Sequence, residues 1–244
     1  MPSRSKWGKY RILKGSEALA PHVPPTLPFN RDNFRAMLER YGHLVVKPRY
    51  GYGGEGVQKV RLAEGGACEI RTDARKRKVA DPDAAYDDVK RRGGRGLIVQ
   101  RYIPLARLNN RPFDLRVMVQ RRSTRSDEWT VTGKLAKVAG KGYFITNVRR
   151  SGGRVMSARK ALEASDAGGS ASDILRKVEE VALLGARRLG RSYRWVHTIG
   201  FDIGVDRDGG IWIIEPNFKP DLTLFRRLSR RVYLRIKRFR RQDR

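Results

Sequence analysis

The sequence predicts an α+β protein of two lobes, and three observations predict it. Gly51, Gly53, Gly54 and Gly56 crowd a stretch that lies between two short apolar strands. Residues 113–122, FDLRVMVQRR, place Phe113, Leu115, Val117 and Val119 on one face and Asp114, Arg116, Met118 and Gln120 on the other. That is the period of a strand with two unlike faces. Val196 to Val205 and Ile211 to Ile214 flank the turn Asp206-Arg207-Asp208-Gly209-Gly210, the pattern of an antiparallel strand pair.

Taken in order, residues 1–29 are basic and then proline-rich (Pro21, Pro24, Pro25, Pro28), which predicts an extended lead-in. Asn30 can cap a short helix whose apolar face is Phe34, Met37, Leu38 and Tyr41. Leu44 to Val46 is a buried strand, and the strand reading resumes at Val57 after the glycines. Residues 63–80 read as irregular or short-strand structure, with the basic run Arg75 to Lys78 as a solvated turn. Asp81-Pro82 opens a helix to about Arg92, closed by Gly93-Gly94. Gly96 to Ile103 is a second buried strand, and Trp129 to Val138 another, beyond a polar turn at Ser123 to Asp127. Ser170 and Ser172 offer caps for a helix with Leu175, Val178, Ala182 and Gly185 on one face. From Leu224 on, Phe225, Leu228, Val232, Ile236 and Phe239 recur at helical spacing among arginines, a basic amphipathic helix. Such a helix packs on its own domain or on a membrane or partner surface.

The chain has 244 residues, with 54 Lys and Arg against 25 Asp and Glu, a formal charge of +29. An excess of this size attracts polyanions but carries no information about catalysis. No apolar run approaches the length of a membrane span, and MPSRSKWGKYR lacks the apolar region of a secretory signal. A single cysteine, Cys68, permits no internal disulfide, which suits a reducing cytoplasmic setting.

Two stretches carry chemistry. Gly51, Gly53 and Gly56 satisfy G-x-G-x-x-G, but a dinucleotide fingerprint must open a helix, whereas Val57 to Leu62 reads as a strand. No Gly-Lys-Ser/Thr follows, which excludes a Walker loop. What remains is either a flap that lays backbone N–H groups over phosphates or a plain glycine-rich hairpin beside a surface lysine. In the second stretch, Glu215 and Asn217 fall on one side of an extended chain, with Asp202 across the turn within cross-strand reach. Two carboxylates and an amide oxygen make a hard site that Mg²⁺ accepts when it keeps waters and takes phosphate oxygens. No H-R-D or D-F-G sequence supports a protein kinase, and no nucleic-acid-binding motif accompanies the charge.

With flap, hinge strand and E-x-N in this order, the chain resembles ATP-grasp domains, most of all the YheC/YheD group known as endospore coat-associated proteins. The resemblance is carried by KWGKYRILK, PHVPPTLPFN, VVKPRYGYGGEGVQKV, LIVQRYIPL, FDLRVMVQ, AKVAGKGYFITNVRRSGG, IGFDIGV and IIEPNFKPDLTLF, and covers about residues 5 to 228. It implies two α+β lobes gripping a nucleotide between antiparallel sheets: an N-lobe over 30–100, a C-lobe over 101–228 and a basic helix or tail over 229–244. It implies ATP and Mg²⁺ as cofactors. Lys47 and the flap, Gly51, Gly53, Gly54 and Gly56, match the phosphate-contacting positions. Gln100, Arg101 and Ile103 match the hinge that reads the adenine edge. Asp202, Glu215 and Asn217 match the magnesium ligands. Arg116 and Lys137 match cations placed against the γ-phosphate or acyl-phosphate, and Asn147 falls in a loop on the acceptor side.

The activity the resemblance implies is carboxylate–amine ligation. A substrate carboxylate takes the γ-phosphoryl group, and an amine or similar nucleophile then captures the acyl-phosphate. No protein nucleophile is required, and neither Cys68 nor His22, His43 or His197 offers one at motif spacing. Spore-envelope formation is the setting it suggests, with an unidentified carboxylate and acceptor and a polyanion or spore-coat partner. The alternative is a degenerate ATP-grasp protein that coats a polyanionic surface. Two departures stand out. Little sequence precedes the lead-in, so the acceptor site is expected to be shallow, partner-supplied or suited to a polymer end. Glu55 puts a negative charge in the flap, to be offset by Arg49 or Arg61.

Overall fold

The helices start and stop where side chains can satisfy their free backbone groups. In the computed structural model, which describes residues 3–51 and 53–241, the first is α1 (Lys6–Lys14). The lead-in is expected to be extended; it is so at Thr26–Pro28, a strand, but Lys6–Lys14 is helical. Ser5 Oγ accepts from Gly8 N–H at 3.0 Å to cap the helix, Trp7 stacks on Tyr10, and Leu13 is buried. Tertiary packing supplies what the polar composition hides, because α1 lies against a long helix of the second lobe described below.

The first sheet is built from β1 (Thr26–Pro28), β2 (His43–Pro48), β3 (Gln58–Leu62), β4 (Cys68–Thr72), β5 (Arg75–Val79) and β6 (Leu97–Arg101). Its order is β1-β6-β2-β3-β4-β5. Two helices cover one face: α2 (Arg31–Tyr41), capped by Asn30, and α3 (Pro82–Gly93), capped by Asp81. Phe34, Leu38, Leu44, Val46, Val60, Ile70, Val89 and Val99 form the core between them. The opposite face turns toward the second lobe. Arg75 to Lys78 is the edge strand β5 rather than a turn. It pairs antiparallel with β4, and Arg77 reaches back to Asp88 on α3 and to Gln58.

The second sheet contains β7 (Arg107–Leu108), β8 (Arg111–Gln120), β9 (Thr130–Val138), β10 (Arg154–Met156), β11 (Thr198–Val205) and β12 (Ile211–Asn217). It runs β10-β9-β8-β11-β12, with β7 beside β8. Its helices are α4 (Val148–Ser151), α5 (Ala158–Glu163), α6 (Ala171–Ser192), α7 (Thr223–Leu228) and α8 (Arg230–Arg241). Phe113, Leu115, Val117 and Val119 pack with Phe201, Ile203 and Ile213 against α6. Gly185 allows the close approach, since a Cβ there would sit 3.1 Å from the Phe201 ring.

The other face of this sheet is divided. At one end Met118 and Leu135 are covered by Phe225 of α7 and Ile236 of α8. The basic amphipathic helix therefore commits its apolar stripe to its own domain; residues 242–244 of the expected tail lie outside the described residues. At the other end the polar members of the same strands, Asp114, Arg116, Lys137 and Asp202, face the first lobe. Among the described residues no helix is long and apolar enough to cross a membrane.

Candidate functional site

Sheet order brings together residues that lie far apart in sequence. Because β11 sits between β8 and β12, Asp202 is in register with Arg116 on one side and Glu215 on the other, and β9 adds Lys137. A bulge after Asp202 restores Glu215 and Asn217 to the same face.

Asp202 is the centre of this cluster. Its Oδ1 accepts from Arg116 Nε at 2.7 Å and Lys137 Nζ at 2.8 Å, and its Oδ2 from Arg116 Nη2 at 3.1 Å. Asn217 Nδ2 lies 3.4 Å from Oδ2. Burial opposes its charge, yet Arg116 and Lys137 hold its carboxyl well below the usual carboxylate range. Burial has the opposite outcome at Asp114, whose carboxyl is raised although Lys137 lies 3.1 Å from Oδ1. Thr146 donates to Asp114 Oδ2 at 2.6 Å, tying the loop before α4 to the cluster.

Across the interlobe crevice, Lys47 Nζ donates to Gln100 Oε1 at 2.8 Å, and Gln100 Nε2 donates to Thr26 Oγ1 at 2.7 Å. Burial lowers the Lys47 ammonium to about 8 against the pull of Glu215. Lys47, Gln100, Thr26, Glu215 and Pro216 line one narrow crevice, joined by Lys6 from α1. Lys6 Nζ donates to Gly51 O at 2.8 Å and stands 3.6 Å from Glu215, so it spans flap and carboxylate. Lys9, one turn on, donates to Pro216 O at 2.6 Å.

Gly51, Gly53, Gly54 and Gly56 all have positive φ, between 69 and 101°. A side chain at Gly54 would meet Ile145 at 3.2 Å, so the flap closes tightly over the loop before α4. Tyr52, between two of the glycines, lies outside the described residues. Asn147 caps α4 under the flap, and Arg150 holds Asp73 of the first lobe through two bonds of 2.6 and 2.9 Å. Arg150 also brings a positive charge near Glu55 of the flap.

The hinge residues divide. Gln100 turns to Lys47, whereas Arg101 lies over the rings of Tyr41 and Trp212 and Ile103 is buried. Tyr102, not singled out in the sequence, opens onto a cavity of about 500 Å³ between the lobes, lined also by Lys59, Arg71, Arg107, Arg111 and Phe144. Lys6, Lys9 and Asp114 were also missed. Lys6 and Lys9 at i,i+3 behind a serine cap were a readable signal, as was Asp114 two residues from Arg116.

Among the described residues no three His, Cys, Asp or Glu side chains converge. The available donor set is Asp202, Glu215 and the Asn217 amide, all oxygen and on one face. That set suits Mg²⁺, which takes few protein ligands and completes its shell with water and phosphate. Asp202 would then share its oxygens between the ion and the two cations that now hold it.

The model of the YheC/D like ATP-grasp family matches residues 2–239. The chain is 24% identical over 228 residues to the endospore coat-associated protein YheD of Bacillus subtilis (strain 168), covering 91% of this chain and 49% of that one. It is 23% identical over 236 residues to YheC of the same organism, covering 92% and 62%. It therefore spans about half to three-fifths of the length of these relatives. Among solved structures, the ATP-grasp ligase PsnB, complexed with a phosphomimetic variant of its minimal precursor, Mg and ADP, superposes with a TM-score of 0.57 at 16% identity. That match covers 98% of this chain and 58% of PsnB, and at this identity it speaks for the fold alone. The two antiparallel sheets and the match of the family model over residues 2–239 assign the chain to the YheC/D-like ATP-grasp family.

Proposed function

We propose that this chain is an ATP- and Mg²⁺-dependent ligase that activates a carboxylate as its acyl-phosphate for capture by an amine or similar nucleophile. The observation that carries the reading is the meeting of Lys47, Lys6 and the glycine flap with Glu215 across one crevice, next to the Asp202–Arg116–Lys137 cluster. Cations on both lobes face a set of oxygen ligands, which is what positioning and neutralising a triphosphate requires. Bound Mg²⁺ would neutralise phosphate charge and align the transferred group.

The chain's own groups supply the rest. Lys47 and Lys6 hold phosphate oxygens under the flap, while Arg116 and Lys137 are placed to meet charge on the transferred phosphoryl group. The hinge at Gln100, Arg101 and Ile103 takes the base end of the nucleotide. The substrate carboxylate oxygen bonds to the γ-phosphorus as ADP leaves; the nucleophile then bonds to the acyl carbon as phosphate leaves. PsnB is solved with its precursor peptide PsnA2 and AMPPNP, which supports a peptide-borne carboxylate. The names of YheD and YheC, endospore coat-associated proteins, support a spore-associated setting. The test is a screen for ADP release across amino acids, peptides and polymer fragments, with mass analysis of the product. ADP release with no acceptor-dependent mass gain anywhere in the screen would overturn the ligase.

A second reading has one observation in its favour. Asp202 already has its charge met by two buried cations, an arrangement that also suits a binding protein with the ATP-grasp fold and no turnover.

Lys47 provides a pH test. Its free-state value near 8 is well below that of an ordinary lysine, and phosphate binding requires the charged form. Nucleotide binding must therefore take up a proton above that pH. Mg·ADP affinity measured by calorimetry should be flat below about pH 8 and fall up to about tenfold per unit above it. Lys47→Arg, which keeps its charge, should remove the fall; an identical pH profile in this variant would exclude Lys47 as the phosphate contact.

A further inference from the structure

The face of the first sheet opposite α2 and α3 carries a row of like charges. Lys59 of β3 is directly opposite Arg71 of β4, and Arg71 is directly opposite Lys76 of β5. Neighbouring strands lie about 4.8 Å apart, so three cations stand in register across about 10 Å. Like charges directly opposite one another destabilise a sheet. In the next row Arg61 and Lys78 flank Glu69, the one carboxylate between them, which lies 3.8 Å from Lys76. Arg71 Nε is buried without a hydrogen-bond partner. The cavity into which Lys59 and Arg71 lead adds Arg107, Arg111 and Lys141 and has no carboxylate in its lining.

β5 is also the end of its sheet, and among the described residues no strand pairs with its outer side. Lys76 and Lys78 are exposed and project from the same face, about 6.7 Å apart along the strand. Lysines on an edge deter a neutral or basic strand, and the same charges favour an acidic one.

We infer that the free edge of β5 and the cationic face beside it dock an extended acidic polypeptide segment. The segment adds as a seventh strand and sets Asp or Glu at alternate positions over Lys76 and Lys78. Main-chain bonds to the edge supply affinity, and the alternate carboxylates supply specificity. The open edge selects a polypeptide over other polyanions, since a phosphodiester chain has no backbone amides to pair with a strand. As a docking surface this stands independently of turnover; as the site where a carboxylate substrate is recruited, it rests on the ligase reading.

The probe is a fluorescent octapeptide of alternating Glu and Thr, with anisotropy read on the 244-residue chain. Lys76→Glu/Lys78→Glu should weaken binding at least about tenfold, and Arg230→Glu/Arg231→Glu on α8, an equal charge change elsewhere, should weaken it less than about twofold. N-methylation of one of the two alternate sets of peptide nitrogens should cost at least about tenfold, and of the other set little. Mg·ADP affinity should be unchanged in both protein variants, so absence of ADP release would count against the ligase and leave this result standing. Equal loss in the two protein variants, indifference to both N-methyl patterns, or tighter binding of a thymidine octanucleotide with the same sensitivity to Lys76→Glu/Lys78→Glu would each overturn the proposal.

Discussion

Glu215→Gln is expected to lower Mg²⁺-dependent ADP affinity by about 100-fold or more, close to 2.8 kcal/mol, and to remove turnover, while leaving the fold intact. Among the described residues Glu215 and Asp202 are the cross-strand carboxylates of the oxygen set, and their burial differs. Glu215 keeps a partly exposed side chain, and its ion-pair neighbour Lys6 is 3.6 Å away. Gln conserves shape and loses one charge, so the stability change should stay within about 1 kcal/mol, as for other solvent-screened pairs. The missing charge matters only when a divalent ion is present. Calorimetry with Mg·ADP and with ADP in EDTA separates the two cases: the variant should lose the first and keep the weaker second, which depends on Lys47 and Lys6. Equal affinity of wild type and variant for Mg·ADP would remove Glu215 from the metal set.

The readable parts of the site share one property: each is written within a single strand or turn. Phe113 to Gln120 alternates cleanly enough to assign both faces, and both assignments hold: Phe113 and Leu115 enter the core, whereas Asp114 and Arg116 face the cleft. Glu215 and Asn217 are two residues apart, and Asp202 is reached by one hairpin, so their meeting follows from local geometry once the bulge after Asp202 has set the register. The pairing of Asp202 with Lys137 does not. It requires the order β9-β8-β11, which joins residues 65 positions apart and which no local pattern encodes. α1 was hidden for a different reason. Lys6, Gly8 and Lys9 weaken its helical signal, and its stability comes from contacts with α6, 165 or so residues later. β5 was hidden because four successive cations look like solvated surface until β4 is seen to pair with them.

Asp202→Ala should behave unlike Glu215→Gln, with a stability loss of about 3–5 kcal/mol in urea denaturation at neutral pH. Removing this carboxylate leaves Arg116 buried without its bidentate partner and Lys137 with Asp114 alone. The acid limb gives an independent check. Because the folded carboxyl of Asp202 is held below its unfolded value, the unfolded state binds the proton first as pH drops. Its stabilisation is thus complete above about pH 4 and is lost as pH falls from there toward the folded value. The alanine variant should show a shallower acid decline over that range. Asp202→Asn should fall between the two, since an amide oxygen can still accept from Arg116 but brings no charge. A loss below about 1 kcal/mol in Asp202→Ala, with an unchanged acid limb, would mean that Arg116 and Lys137 are satisfied elsewhere. The carboxylate would then be free for a metal at no cost to the fold, and the reading of this cluster as a charge-balanced site that a metal must share would be wrong.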